Sequence, residues 1–446
     1  MGKCDVLDLL AGLEAKSLVT LGDDPAPPSE ESESRYGLLE TVRQYAADHL
    51  AANGELDAAG GAHAAYILTL AERAEPGLYG PRQRYWLDRL EAEHDNIRAA
   101  LAWSTREGEG ADAQTAARLT GALGWFWRLH GHLNEGRRWL TIVLSKECGI
   151  GDDASRLRAG ALNAAGMLAE RQHDYAPAEQ ALQESVARYR ALGDDQGMAD
   201  ALNNLGHVVW DRSDNARAHP LFQESLSLRR TLGDERGVAS SLNNLARVHR
   251  YQGDVEAATA LYEQSVALWK RVGEPWGIAT VLGNLGLEMG ERGDYQRALS
   301  LHQESLALRR ELGDKMGVSW SLTNVASIDT RLGNYERAVT LFEESLQLAR
   351  QLGDKATVTD IVEGLAEVAQ AREEMGRAAR LFGGVAVLRA AVGDPLSPAE
   401  RARYNRNVAV LRAALGEDRF TMLWREGQAM TLEEIIAYAR KHGATS

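Results

Sequence analysis

Cysteine, proline and long apolar runs are all scarce in this chain of 446 residues, and each scarcity excludes something. Two cysteines, Cys4 and Cys148, cannot build a disulfide framework or a four-thiolate metal site. Neither has a C-x-x-C partner, so both read as ordinary thiols. Only 10 prolines interrupt a background of Leu, Ala, Glu and Arg, which favours long helices. No apolar run approaches the roughly 18 residues of a membrane span. The start, Met1-Gly-Lys-Cys-Asp-Val, lacks the basic-then-apolar layout of a secretory signal. A net charge of -14 disfavours nonspecific contact with nucleic acid or anionic lipid. Catalytic signatures are missing as well: there is no G-x-x-x-x-G-K-[ST] phosphate loop, no G-x-S-x-G elbow and no H-E-x-x-H helix. The expectation is a cytoplasmic, helical, non-enzymatic chain with no cofactor, no metal, no membrane partner and no direct nucleic-acid partner.

What the chain does have is a repeat. Ala161-Leu-Asn, Ala201-Leu-Asn, Ser241-Leu-Asn, Val281-Leu-Gly and Ser321-Leu-Thr open five units, each 40 residues after the last. Ile361-Val-Glu opens a decayed sixth. Leu192-Gly-Asp, Leu232-Gly-Asp, Val272-Gly-Glu, Leu312-Gly-Asp, Leu352-Gly-Asp and Val392-Gly-Asp close the units. Gly suits the left-handed residue just past a helix, and Asp suits the N-cap of the next. The pair recurs midway, as Gly253-Asp254, Gly293-Asp294 and Gly333-Asn334. Each unit therefore reads as two helices of about 18 residues, about 27 Å long at 1.5 Å per residue. Leu242, Leu245 and Val248 recur at helical spacing on one first helix, and Ala258, Leu261, Tyr262, Val266 and Leu268 on its second. Two registers hold small residues that let helices approach: Ala178, Ala218, Ala258, Ala298, Ala338 and Ala378, then Gly206, Ala246, Gly286 and Ala326. One hairpin cannot bury its apolar face alone, so the units must stack.

Leu205-Gly206 with Ala218 and Phe222, and Leu285-Gly286 with Gly293, Tyr295 and Ala298, resemble the tetratricopeptide repeat. The unit is longer than the usual 34 or so residues and is similar to the long-helix variety of regulatory and motor-adaptor proteins. The resemblance implies an all-α solenoid with its five good repeats at 161–360. Residues 111–160 form a degenerate first repeat, where Gly131-His-Leu-Asn-Glu-Gly136 replaces the usual pattern. Residues 361–446 form a degenerate repeat, with Glu373 at the glycine position, and a helical cap.

The ends read differently. Asp5 to Leu13 reads as a helix, and Ser17 to Leu21 as a strand. A Pro-rich loop from Asp23 to Ser34, a strand at Arg35 to Leu38 and a helix from Glu40 to Ala52 follow. Residues 1–55 resemble the tail of a winged helix, and 56–110 a helical linker. Arg35 to Ala46, Trp86 to Ala100, Ala379-Arg-Leu-Phe-Gly-Gly384, Leu396 to Tyr404 and Thr431 to Ala439 resemble bacterial STAND-class signalling ATPases. Large LuxR-type and MalT-like transcriptional regulators belong to that class. The resemblance implies a sensor arm without its ATPase or DNA-binding end, and Met1 falling inside the winged helix. Its implied partners are a protein or peptide effector and the ATPase domain of the full-length protein. A free-standing scaffold or a small-molecule sensor is the alternative.

The most informative polar set is Asn204, Asn244, Asn284 and Asn324, at one register of four repeats. Asn inside a helix costs about 0.6 kcal/mol relative to Ala, so its recurrence asks for a reason. The neighbours on that face are Asp200, His207 and Asp211; Ser240, Arg247 and Tyr251; Thr280, Leu287 and Glu291; and Trp320, Ser327 and Arg331. In a tetratricopeptide solenoid the first helices line the concave groove. The candidate groove is therefore Asn204, Asn244, Asn284, Asn324, His207, Arg247, Tyr251, Trp320 and Arg331. A primary amide offers both donor and acceptor to an extended backbone; alternatively, each Asn bonds only the neighbouring repeat and stiffens the stack. Trp276 and Trp320 sit near the groove mouth, with burial as the simpler reading. His130 and His132 fall in a turn without a neighbouring carboxylate or thiol in sequence, and His207, His249 and His302 lie at different registers. With no phosphate loop, the purified chain should show no steady ATP turnover; phosphate release that persists through further purification would contradict this.

Overall fold

The small-residue registers explain why each pair of helices closes into a hairpin. In the computed structural model, a Cβ added to Gly206 would stand 2.5 Å from Phe222 Cε1, and one added to Gly286 would stand 2.8 Å from His302 Cε1. Gly166 meets Leu182 in the same way. Ala246 and Ala326 are fully buried in the same core clusters as Tyr262 and Phe342. A large side chain from the second helix thus lies directly on the backbone of the first in the hairpins that carry Gly166, Gly206 and Gly286. Beside each contact a buried serine donates to a backbone carbonyl of the first helix. These bonds are Ser185 to Ala159 at 2.8 Å, Ser225 to Ala199 at 2.8 Å, Ser265 to Ala239 at 2.6 Å, Ser305 to Ala279 at 2.7 Å and Ser345 to Ser319 at 2.7 Å.

The structure describes residues 3–22, 35–79, 82–107, 112–146, 151–392, 396 and 398–440. Cys148, the Pro-rich loop at 23–34 and the Gly393-Asp394 cap lie outside the described residues, as does the side chain of Cys4. The chain divides into two compact units, Met1–Gly233 and Asp234–Ser446. The first opens with α1 (Lys3–Glu14), β1 (Val19–Gly22), β2 (Arg35–Leu38) and α2 (Glu40–Ala52). The strands pair antiparallel, Val19 opposite Leu38 and Leu21 opposite Tyr36. Next come α3 (Leu56–Ala74), a 3-10 turn at Glu75–Tyr79, α4 (Gln83–Ala92) and α5 (His94–Ser104). The hairpins follow as α6 (Ala113–His130) with α7 (Leu133–Leu144), α8 (Asp152–Arg171) with α9 (Tyr175–Leu192), and α10 (Asp195–Asp211) with α11 (Asn215–Leu232). Ile67, Trp86, Leu90, Ile97, Phe126, Trp127 and Leu140 form one core joining α3–α7.

The second unit continues the pattern: α12 (Glu235–Gln252) with α13 (Val255–Val272), α14 (Pro275–Glu291) with α15 (Tyr295–Leu312), and α16 (Lys315–Arg331) with α17 (Tyr335–Leu352). Then come α18 (Lys355–Ala371) with α19 (Met375–Val392), and α20 (Pro398–Leu415), α21 (Glu417–Gln428) and α22 (Leu432–Arg440) close it. Here α19 meets α21 backbone to backbone. A Cβ on Gly383 would stand 2.3 Å from the Trp424 carbonyl oxygen, and one on Gly427 1.9 Å from that of Arg380. No helix among the described residues is long and apolar enough to cross a membrane.

Helix boundaries follow the caps. Asp194, Asp214, Asp234, Asp254, Asp294, Asp314 and Asp354 each accept from the backbone N–H three residues on. Such a cap stabilises by about 1 kcal/mol. His173, Ser213 and Glu373 take the left-handed turn at φ 60, 63 and 64 degrees, where other hairpins place glycine.

One large residue is out of place. The ring position of the second helix holds Phe222, Tyr262, Phe342 and Phe382 in four repeats and His302 in a fifth. His302 is buried and neither ring nitrogen has a hydrogen-bond partner. Burial, reinforced by the nearby Arg309 cation, pushes its pKa down to about 4. The unfolded imidazole takes up a proton below about pH 6.5 and the folded one resists until about pH 4, so this residue's stabilisation is lost as pH falls through that window. His302→Phe should therefore raise stability by about 1–3 kcal/mol at pH 7, by removing two unsatisfied buried polar atoms. It should also flatten the stability profile between pH 6.5 and 4, as urea unfolding at stepped pH would show.

Candidate functional site

First helices of successive hairpins touch one another: α8 with α6 and α10 in the first unit, and α14 with α12 and α16, then α16 with α18, in the second. The second helices pack chiefly on the first helices flanking them. The first helices thus form a continuous row within each unit, and the asparagine register runs along it. Its remaining faces are filled by the core, so this strip is where polar side chains gather.

The amides are partly committed to the row itself. Asn204 Nδ2 donates to Asn163 Oδ1 at 2.9 Å in the first unit. Asn284 Nδ2 donates to Asn243 Oδ1 at 2.9 Å in the second, and Asn243 Nδ2 approaches Asn244 Oδ1 at 3.5 Å. In both of these bonds the amide reaches back to an asparagine 41 residues earlier. Asn324 breaks the series, because the equivalent partner position holds Gly283. Trp320 covers that glycine, and a Cβ there would meet Trp320 Cζ3 at 2.5 Å. Asn324 Nδ2 is left buried without a hydrogen-bond partner. An amide has two donors and two acceptor sites, so one bond between repeats leaves much of its capacity open.

The other sequence-selected residues sit around this column. His207, in the first unit, is half-buried and stands edge-on to Phe222 at 5.5 Å. In the second unit, Asn244 is buried, while Arg247, Tyr251, Trp320 and Arg331 are half-buried. The Arg309 guanidinium lies 5.3 Å from the Trp320 ring centre, which braces the indole. Trp276 is half-buried at the start of α14.

Charge on the row was less legible in the sequence. Glu288 stands where Val208, Val248, Ile328 and Val368 stand in the other repeats, and it is buried. Arg250 faces it at 3.7 Å and also pairs with Glu291. Burial raises the Glu288 pKa, against the opposing pull of Arg250. Further along, Glu363 is buried with Arg389 at 2.6 Å, and Arg403 on α20 reaches Glu367 at 3.1 Å. Asn407 also donates to Glu367. Helix α20, whose Leu411 is buried in the core with Phe382, thus adds polar contacts to the last first helix, α18. An acidic residue at an apolar register is the signal that could have exposed Glu288; the α20 contacts have no counterpart in sequence periodicity.

Comparison with known proteins agrees with this geometry. The tetratricopeptide repeat family models match residues 157–231, 237–311 and 318–352. A Mycobacterium bovis protein named as a candidate HTH-type transcriptional regulator is 37% identical over 142 residues, which is 32% of this chain and 15% of that protein. The match thus spans about 15% of that relative's length. Among solved structures, a Rap protein complexed with Competence and Sporulation Factor superposes with a TM-score of 0.53 at 13% identity, covering 81% of this chain and 99% of that one. The apo quorum sensor NprR from B. thuringiensis does so with a TM-score of 0.53 at 14% identity, covering 84% and 98%. At such identities the structures share the fold, and the chain is an all-α solenoid built on tetratricopeptide repeats.

Glu288→Val restores the apolar residue of the other repeats. Because the folded carboxyl has a raised pKa, its destabilising effect is greatest above that pKa and fades on acidification. Thermal melts should show the variant more stable than the parent at pH 7, with the advantage shrinking toward pH 4.5.

Proposed function

We propose that the row of first helices is a binding face for an extended peptide or protein segment, and that the chain is the effector-sensing arm of a larger bacterial regulator. The observation that carries the binding reading is the amide column, set on tightly packed helices with Arg247 and Arg331 on the same strip. Amides can pair with a ligand backbone in either direction, and the arginines can take an acidic side chain or a terminal carboxylate. A stacked helical framework holds these groups at a fixed spacing before the ligand arrives, which reduces the ordering cost of binding.

The regulator reading draws support from the M. bovis relative, whose name assigns it to HTH-type transcriptional control and of which this stretch resembles only 15%. It also draws on the structural neighbours, one complexed with a sporulation factor and one a quorum sensor. The resemblance to STAND-class proteins suggests how such an arm acts: it rests against the ATPase, and the effector favours the released state. The shift can be no larger than the effector's differential affinity for the two states.

Asn324→Ala separates binding from scaffolding. Asn324 Nδ2 has no partner to lose, and Ala has the higher helix propensity, so the variant should melt at or above the parent temperature. A peptide selected from a displayed random library against the parent chain should bind Asn324→Ala about three- to tenfold more weakly, the value of one hydrogen bond. Asn284→Ala should lose both binding and some stability, because it also breaks the Asn243 bond. Unchanged affinity in both variants would assign the asparagines to the scaffold alone.

A further inference from the structure

The turn that joins α6 to α7 carries His130 and His132, a pair with no carboxylate beside it in sequence. The fold supplies one from 41 residues upstream. Glu91 Oε2 lies 2.8 Å from His132 Nε2 and 3.2 Å from His130 Nδ1. His94, the first residue of α5, brings its Nδ1 to 3.9 Å from the same oxygen. One ligand atom from each of Glu91, His94 and His132 falls within 4.8 Å of the others.

We propose that Glu91, His94 and His132 form a binding site for a divalent first-row transition metal of the zinc class. Two imidazoles and one carboxylate are the donor set that such ions take, with bonds of about 2.0–2.2 Å. Ligand atoms tetrahedrally placed at that distance are about 3.4 Å apart, and the two measured separations from Glu91 fall on either side of this value. Small rotations about the Glu91 and His132 side chains would close the difference.

The surroundings support the ligands as a metal site needs. Metal-bound histidine usually donates its second ring nitrogen to a carboxylate. His94 Nε2 is buried, has no hydrogen-bond partner, and lies 3.3 Å from Glu135 Oε1. Glu135 is in turn gripped by both arms of Arg98, at 2.9 and 2.7 Å. With Nδ1 of His94 turned to the metal, Nε2–H would donate to Glu135, and the orphaned nitrogen would be satisfied. His130 contacts Glu91 and orients it. The fully buried Phe126 ring stands edge-on to His94 at 5.7 Å and walls one side.

A metal here ties the α4–α5 junction to the α6–α7 turn. It would therefore fix the segment before the repeats onto the first hairpin, away from the asparagine column. The site would keep a fourth position for water or for a side chain of a partner.

The test uses the full chain free of any affinity tag, titrated with cobalt chloride and then with zinc chloride in competition. One cobalt ion per chain should bind with visible absorption bands, and zinc should displace it. Glu91→Gln and His132→Asn change solvent-accessible side chains and should each weaken binding more than about tenfold. Glu135→Gln, which leaves the three ligands in place but weakens the positioning of His94, should weaken it about ten- to hundredfold. Zinc should raise the melting temperature of the parent but not of His132→Asn. Circular dichroism confirms that each variant is folded. Saturation absent below about 100 µM cobalt, or affinity unchanged in both Glu91→Gln and His132→Asn, would overturn the assignment.

Discussion

The contact on which this molecule depends is a large side chain of one helix laid on the bare backbone of its partner. Phe222 on Gly206 and His302 on Gly286 show it most directly, with Tyr262 and Phe342 sharing their cores with buried Ala246 and Ala326. A methyl group at either glycine would overlap the ring, so helix separation in those hairpins is set by a single position. The buried serine that donates to the opposite helix then fixes rotation, since its hydroxyl has a backbone carbonyl to reach at one azimuth only. Five such bonds, each worth about 0.5–1.5 kcal/mol, act at the same register. Repetition of one geometry at 40-residue intervals is what lets neighbouring hairpins stack without adjustment.

That geometry has a functional consequence. Once the rings and serines occupy the faces between helices, each first helix has one strip left for polar residues. The asparagines, Arg247 and Arg331 lie on it. Part of the amide capacity joins consecutive repeats, as Asn284 does to Asn243, which aligns the column before any ligand arrives. Scaffold and binding roles are therefore not exclusive for most of the column. They separate at Asn324, where Gly283 and Trp320 remove the usual partner. Bridging ion pairs between second helices, such as Arg190 with Glu224 and Arg310 with Glu344, are surface interactions worth little individually.

Much of the fold was legible in the sequence because its determinants are periodic. Most of the Gly-Asp caps appear where the spacing puts them, although Glu274 and Asn334 make no side-chain cap bond, and α1, the paired strands and α2 follow the expected order from Lys3 to Ala52. The asparagine register was visible for the same reason. What periodicity could not show was what each residue faces. The bond from Asn204 to Asn163 joins residues 41 apart, and nothing in one repeat announces it. The Gly383-Gly384 pair is visible in sequence, yet its reason, the approach of α21, lies some 40 residues later. His130 and His132 lacked a carboxylate until the fold brought Glu91 to them. Glu288 and His302 are different: both break a register readable at a 40-residue offset, and aligning the repeats column by column would have exposed them.

The central claim is that an extended ligand lies along the first helices. A photoreactive side chain placed at Leu287, between Asn284 and Glu291 on α14, tests it most directly. A second at Gln303, exposed on α15, serves as the comparison. With a library-selected peptide bound, the account predicts cross-linking from position 287 and none from 303. Cross-linking from 303 with none from 287 would contradict it.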